Sequence, residues 1–266
     1  MASHLASPAS IDRFTIGRVL SLSWHSWIAC RWHLLLIVVP VAVLRAVGGY
    51  YLYVALPRSL PSGWRQVIGG WITVGITMPA VACLAYAVVC IAGGQNMRPV
   101  DILRAIWRRI ALVVVAALIV NTMMEGPEFL MPKSNTAFLV VAFLAYVAYK
   151  LAVATVTFLL LPILIVERTS VAGALDRSIE LMSGHRWRIV ALTFLMWITL
   201  NLVGVIQLNW IRPWYPAPSE EVIFFVRFVR TFLVISITSC VPATAYYLLR
   251  SEKQGSSPEG IARVFD

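Results

Sequence analysis

Charge is scarce in this chain. Only 13% of its 266 residues are Asp, Glu, Lys or Arg, whereas 60% are hydrophobic and the mean hydropathy is +0.81. A soluble domain carries about twice that share of charge, so the composition excludes an ordinary soluble protein. The apolar residues are gathered in long runs, and a chain of this length accommodates about six membrane-spanning helices joined by short loops.

Negative charge is scarcer than positive charge. There are 12 Asp and Glu against 22 Lys and Arg, which gives a net charge of +10. None of the acids falls inside a predicted span, which argues against a proton relay or an intramembrane carboxylate site. The basic residues flank the apolar runs and accompany no nucleic-acid-binding motif. We therefore expect anionic membrane lipids as partners, with membrane proteins as further candidates and nucleic acid excluded.

Residues for catalysis or metal binding are sparse as well. The four cysteines form no C-x-x-C pair, and the four histidines form no H-x-x-x-H pattern. The chain lacks G-x-S-x-G and Walker sequences. We therefore predict a protein that is not an enzyme and that uses no metal and no cofactor. A lipid-modifying enzyme would instead need acids and histidines to converge at one surface, for example Asp176, Glu180 and His185.

Six apolar runs are long enough to cross about 30 Å of hydrocarbon as helices. They lie at roughly 34–56, 67–92, 108–124, 137–166, 187–208 and 222–249. With six spans both termini lie on one side, and that side carries fourteen Lys and Arg against four on the other. This bias predicts cytoplasmic termini. Residues 11–250 then form a single membrane domain between a flexible tail, 1–10, and a cytoplasmic tail, 251–266.

The segments before the odd-numbered spans are too polar to cross a membrane. They predict amphipathic helices on the cytoplasmic surface, at about 15–30, 98–107 and 170–184. Thr15 and Ser170 stand where N-caps belong, and a shift of 155 residues places Thr15 on Ser170 and Arg31 on Arg186. Pro99 suits a first helical position. We predict an all-α integral membrane fold of three repeats, each a surface helix followed by a two-helix hairpin.

Paired Arg and Trp residues mark the points where the surface helices lead into spans. Arg is suited to lipid phosphate, and Trp favours the headgroup layer. These pairs are predicted to anchor the chain at the lipid interface; they are Arg31 and Trp32, Trp107 and Arg108, and Arg186 and Trp187.

Two cations lie deep inside the predicted spans, where no acid in a span is available to balance them, whereas Arg227 and Arg230 enter the sixth span from its outer end. Arg45 lies about midway along the first span and Lys150 near the middle of the fourth, and each costs at least about 2.5 kcal/mol at the bilayer centre. Asn121 and Asn201 lie at matching depths in two repeats. One hypothesis is an inward-facing polar pocket of these four residues that receives a lipid phosphate or another anion. The alternative is that they fix the bundle through interhelical hydrogen bonds or extend to the interface.

Two stretches of the chain resemble a known family. Residues 161–194 (LPILIVERTSVAGALDRSIELMSGHRWRIVALTF), followed by AYYLLR at 245–250 and EG at 259–260, resemble the bacterial integral-membrane domain attached to some glycerophosphoryl diester phosphodiesterases. Residues 14–36 resemble the start of the same family. The resemblance implies a multi-pass protein of the bacterial inner membrane. It implies no catalysis, because the phosphodiesterase chemistry belongs to a soluble barrel for which this chain has no room.

Two functions remain open from the sequence. The leading prediction is a non-enzymatic membrane protein that binds or organises anionic lipid or serves a membrane process with partner proteins. The alternative is a transporter or flippase-like carrier of a lipid or an anionic small molecule. Repeated hairpins and a proline in every even span, at Pro79, Pro162 and Pro242, favour the carrier.

Overall fold

A computed structural model describes residues 14–55, 62–95, 97–125, 136–206 and 220–254. The predicted tail 1–10 and the end of the second tail, 255–266, lie outside these residues. The described residues form helices and no strand, as the apolar runs predict. The helices are α1 (Ile16–Ala29), α2 (Arg31–His33), α3 (Val39–Ala55), α4 (Ser62–Ala92), α5 (Pro99–Trp107), α6 (Ile110–Glu125), α7 (Thr136–Val156), α8 (Leu160–Val166), α9 (Val171–Met182), α10 (Arg186–Ile206) and α11 (Glu220–Gln254).

The protein is an all-helical membrane protein. Four segments are long and apolar enough to cross a bilayer, at Arg31–Gly48, Val67–Ala92, Val141–Val166 and Phe224–Lys253. They coincide with the first, second, fourth and sixth predicted spans. The third predicted span is the shorter apolar helix α6, of 16 residues. The fifth is α10, of 21 residues, which begins with two arginines.

The three predicted surface helices are α1, α5 and α9, and their first residues are held as the sequence indicates. The Thr15 hydroxyl accepts a hydrogen bond from the Arg18 amide at 3.4 Å, and the Ser170 hydroxyl accepts one from the Gly173 amide at 3.2 Å. Pro99 is the first residue of α5. Each cap satisfies an amide that has no partner inside its own helix, so both predicted N-caps are confirmed.

The centre of the bundle is formed by α4 and α11, which pack against each other. Every residue of α4 from Ala80 to Cys90 is buried, so this half of the helix is surrounded by protein. Helix α11 also packs against α1 and α3. The Ser23 and Thr244 hydroxyls lie 2.5 Å apart where α1 meets α11. The last described helix therefore closes over the first.

Two of the spanning segments are not regular α-helices. The first begins with a π-helical segment, Leu34–Val38, between α2 and α3. The fourth is interrupted at Thr157–Leu159, between α7 and α8. At this break the Ser178 hydroxyl of α9 donates to the carbonyl of Val156 at 3.0 Å. A surface helix therefore supplies the hydrogen bond that the interrupted helix lacks.

Candidate functional site

Helix α1 has one face that packs against the bundle and a second, apolar face that is exposed. Val19 and Ser23 are buried against the bundle, whereas Leu20, Trp24 and Ile28 are exposed. The three exposed residues are spaced by four, so they form one stripe along the helix. A long apolar stripe open to the surroundings is unfavourable in water but suits the boundary between lipid headgroups and acyl chains.

Helix α5 repeats this arrangement in a shorter form. Ile102 and Ile106 are buried, and Val100, Leu103 and Trp107 are exposed on a neighbouring face. Measured from the residue before each helix, the buried residues of α5 stand four and eight positions on, as Val19 and Ser23 do in α1. The two helices therefore meet the bundle in the same register and present the same kind of face outward.

Helix α9 shares the register but presents a more polar outer face. Ala174 and Ser178 are buried at the same positions, four and eight residues after Ser170. Asp176 and Glu180 are exposed on the opposite side. We infer that α9 contributes packing and charge to this end of the bundle, while α1 and α5 contribute most of its exposed apolar surface.

The predicted interface anchors all lie on the surface. The exposed fractions of the three tryptophans are 61% for Trp32, 74% for Trp107 and 84% for Trp187. Their neighbours Arg31, Arg108 and Arg186 are exposed as well. The Arg31 guanidinium carbon lies 6.0 Å from the centre of the Trp32 ring, within the range of a cation–π contact. We call these six residues the Arg-Trp girdle.

Two polar networks tie this end of the bundle together, and the first is centred on Glu167. Its carboxylate accepts a hydrogen bond from the Tyr246 hydroxyl at 3.0 Å and lies 3.3 Å from Arg177 Nε. Arg177 also pairs with Glu180 at 2.7 Å, the i, i+3 contact that their spacing predicts. The hydrogen bond from Arg177 lowers the pKa of Glu180. Buried Arg250 donates to the same Tyr246 hydroxyl at 3.0 Å.

The second network joins the first and last described residues. The Glu252 carboxylate accepts a hydrogen bond from the backbone amide of Phe14 at 2.9 Å, and it lies 3.4 Å from Nε2 of His185. Arg188 donates to the Phe14 carbonyl at 2.5 Å. The sequence predicted the Arg177–Glu180 pair, but the other contacts of both networks were missed, since their members are far apart along the chain. Of the three residues named above for a lipid-modifying enzyme, Glu180 pairs with Arg177, His185 lies beside Glu252, and Asp176 is exposed.

Lys150 has a carboxylate partner, so the expectation that no acid could balance it was wrong. Its Nζ lies 3.4 Å from Oε1 of Glu125 and 4.5 Å from the centre of the Tyr146 ring. The sequence placed Glu125 in the loop after the third span, but α6 continues through Glu125 and brings the carboxylate to α7. The charge of Lys150 is therefore compensated within the protein.

The two asparagines of the predicted pocket have different surroundings. Asn121 is half-buried, and no described residue accepts a hydrogen bond from its Nδ2. This atom packs against Gly70 of α4, where a Cβ would come within 3.0 Å of it. Asn201 is exposed on α10 and donates to the carbonyl of Trp197 in its own helix at 2.7 Å. The repeat predicts that Asn121 and Asn201 lie at the same depth, but the two side chains make different contacts.

Arg45 faces α11, where it donates a hydrogen bond to the Thr231 hydroxyl at 3.1 Å. The positive charge of the neighbouring Arg230 repels the positive charge of Arg45. Arg45, Lys150 and Asn201 thus hydrogen-bond to three different partners, and a shared pocket of the four predicted residues stays a prediction.

A search of protein-family models, curated proteins and solved structures finds no match to this chain.

Proposed function

We propose that this chain is a six-span protein of the bacterial inner membrane, with both termini in the cytoplasm and three repeats of a surface helix followed by a hairpin. The excess of Lys and Arg on one side supports this orientation. The common burial register of α1, α5 and α9 supports the repeat. The family resemblance supports the bacterial inner membrane.

Its proposed function is to bind and organise anionic lipid at the cytoplasmic surface, without catalysis. The observation that carries the proposal is the Arg-Trp girdle together with the exposed apolar stripes of α1 and α5. Each guanidinium near an anionic surface contributes about 1 kcal/mol, and each exposed Trp supplies an apolar ring with a hydrogen-bond donor for the headgroup layer. The arrangement holds these groups on helices that are packed against the bundle core.

The test is the lipid preference of the purified protein. We would replace Arg31, Arg108 and Arg186 together by Gln and measure the binding of phosphatidylglycerol relative to phosphatidylcholine by native mass spectrometry. Each replacement is expected to weaken phosphatidylglycerol binding by about fivefold, which corresponds to about 1 kcal/mol. The matched control replaces the same three residues by Lys, which keeps the charge. An unchanged preference in the Gln variant would refute lipid binding by the girdle.

A carrier is the second candidate, and the interruption of the fourth span at Thr157–Leu159 favours it. Carriers often place a discontinuous helix where helices rearrange around a substrate. The π-helical segment Leu34–Val38 is a second irregularity of the kind found at functional positions. Vesicles containing the protein and a fluorescent lipid would distinguish the two functions. A carrier of lipid exposes the inner-leaflet label to an external quencher, whereas a lipid-binding protein leaves it protected.

A further inference from the structure

Arg45 differs from Lys150 because no carboxylate of the described residues pairs with it. Its described contacts are the hydrogen bond to the Thr231 hydroxyl at 3.1 Å and the positive charge of Arg230. Among the described residues neither Arg45 nor Arg230 forms an ion pair. Arg45 is half-buried, Thr231 is buried and Arg230 is exposed. Arg45 therefore contacts the residue next to Arg230 in sequence, and Arg230 itself opens to the surface.

The position of this pair along the bundle is fixed by its helices. Arg45 follows Arg31 by fourteen residues, which is about 21 Å along a helix. Arg230 precedes Arg250 by twenty residues, which is about 30 Å. The hydrocarbon core of a bilayer is about 30 Å thick. Arg230 therefore lies at the membrane boundary opposite the Arg-Trp girdle. Arg45 lies about 9 Å short of that boundary, and its side chain extends toward it to contact Thr231.

These two arginines have N–H donors that no described residue accepts from. A guanidinium carries five N–H donors, and Arg45 gives a described hydrogen bond to one hydroxyl only. Two adjacent cations repel each other unless an anion lies between them, and burial increases that repulsion. Arg binds phosphate oxygens in a two-pronged geometry, and a hydroxyl such as that of Thr231 adds a further donor.

We propose that Arg45, Arg230 and Thr231 form a binding site for a phosphoryl anion, supplied by a phospholipid headgroup in the leaflet opposite the girdle. The depth of Arg230 places the site where such phosphate groups lie. The site depends on the chain spanning the membrane as proposed above, but it shares no residue with the girdle. Loss of lipid binding at one site is therefore distinguishable from loss at the other.

The experiment titrates phosphatidylglycerol into the delipidated protein and counts bound lipid by native mass spectrometry. Arg45→Met and Arg230→Met are each expected to weaken the tightest binding step by about tenfold or more, since a hydrogen bond to a charged group is worth about 1.5–3 kcal/mol. Arg104→Met is the matched control, because Arg104 is an exposed arginine on α5 that belongs neither to this site nor to the girdle. Arg230 is exposed, so its replacement is expected to leave the fold intact.

Inorganic phosphate identifies the source of the anion. Added phosphate that displaces the lipid from the wild type, but does not affect the Arg230→Met variant, would assign the site to a free anion instead of a lipid. Thermal stability gives a second reading: phosphatidylglycerol is expected to raise the melting temperature of the wild type more than that of Arg230→Met, in which only the girdle still binds the lipid. Equal affinity in the wild type and both arginine variants, with an equal rise in melting temperature, would overturn the proposal.

Discussion

Replacement of Glu125 by Gln tests whether Lys150 is a structural cation. Two unit charges at the observed 3.4 Å attract each other by about 5 kcal/mol at an effective dielectric constant of about 20. Most of this attraction is offset by the cost of removing both groups from water. Breaking a fully buried pair costs about 3–5 kcal/mol, and an exposed pair contributes at most about 1 kcal/mol. The side chains of this pair are 20% and 28% exposed, so we expect Glu125→Gln to lower the free energy of unfolding by about 2 kcal/mol.

A double-mutant cycle with Lys150→Met separates this pair from other effects. Equilibrium unfolding in mixed micelles would be followed for both single variants and the double variant. We expect the double variant to be more stable than Glu125→Gln alone, because Met leaves no buried charge without a partner. Glu221→Gln is the matched control, since Glu221 is exposed on α11. A Glu125→Gln variant as stable as this control, with no coupling to Lys150, would refute the reasoning.

Two further substitutions test the packing of the bundle. Gly70→Ala is expected to lower the free energy of unfolding by about 1–3 kcal/mol, because its Cβ would meet Asn121 at 3.0 Å. Gly75→Ala is the control, because a Cβ at Gly75 would meet nothing within 4 Å. Equal stability of the two variants would contradict the contact between Gly70 and Asn121. Ser178→Ala is expected to cost about 1 kcal/mol, since it removes the hydrogen-bond donor to the Val156 carbonyl at the end of α7. Exposed Ser21→Ala is its control in the same unfolding assay, and a loss no larger than the control's would show that the break does not need this hydrogen bond.

Much of the helical framework was predictable because its signals are local. The caps at Thr15 and Ser170 lie within three residues of the amides they bind. The apolar runs define most helix boundaries to within a few residues, as the ends of α4 and α6 illustrate. The burial of one face of α1 depends on a distant contact, from Ser23 to Thr244, so the sequence indicated an amphipathic helix without showing which face meets the bundle.

The candidate sites were less predictable because they depend on pairing between helices. Lys150 was expected to lack a counter-ion since α6 was thought to end before Glu125, and one more residue of helix supplies it. Asn121 and Asn201 match in sequence position, but their surroundings differ because Gly70 packs against Asn121 only. The interruption at Thr157–Leu159 was also missed. Each of the second, fourth and sixth spans contains one proline, at Pro79, Pro162 and Pro242, so the sequence does not show which span is broken. Helices α4 and α11 continue through their prolines, whereas the fourth span is interrupted shortly before Pro162.

The closure of the last helix over the first has a consequence for biosynthesis. Thr244 follows its partner Ser23 by 221 residues, and chain elongation at about 5–20 residues per second separates their synthesis by roughly 10–45 seconds. During that interval Ser23 and the rest of the inner face of α1 have no α11 to pack against, and α4 lacks its main neighbour. The emerging chain must therefore keep these surfaces covered by lipid, water or the insertion machinery until its final helix enters the membrane.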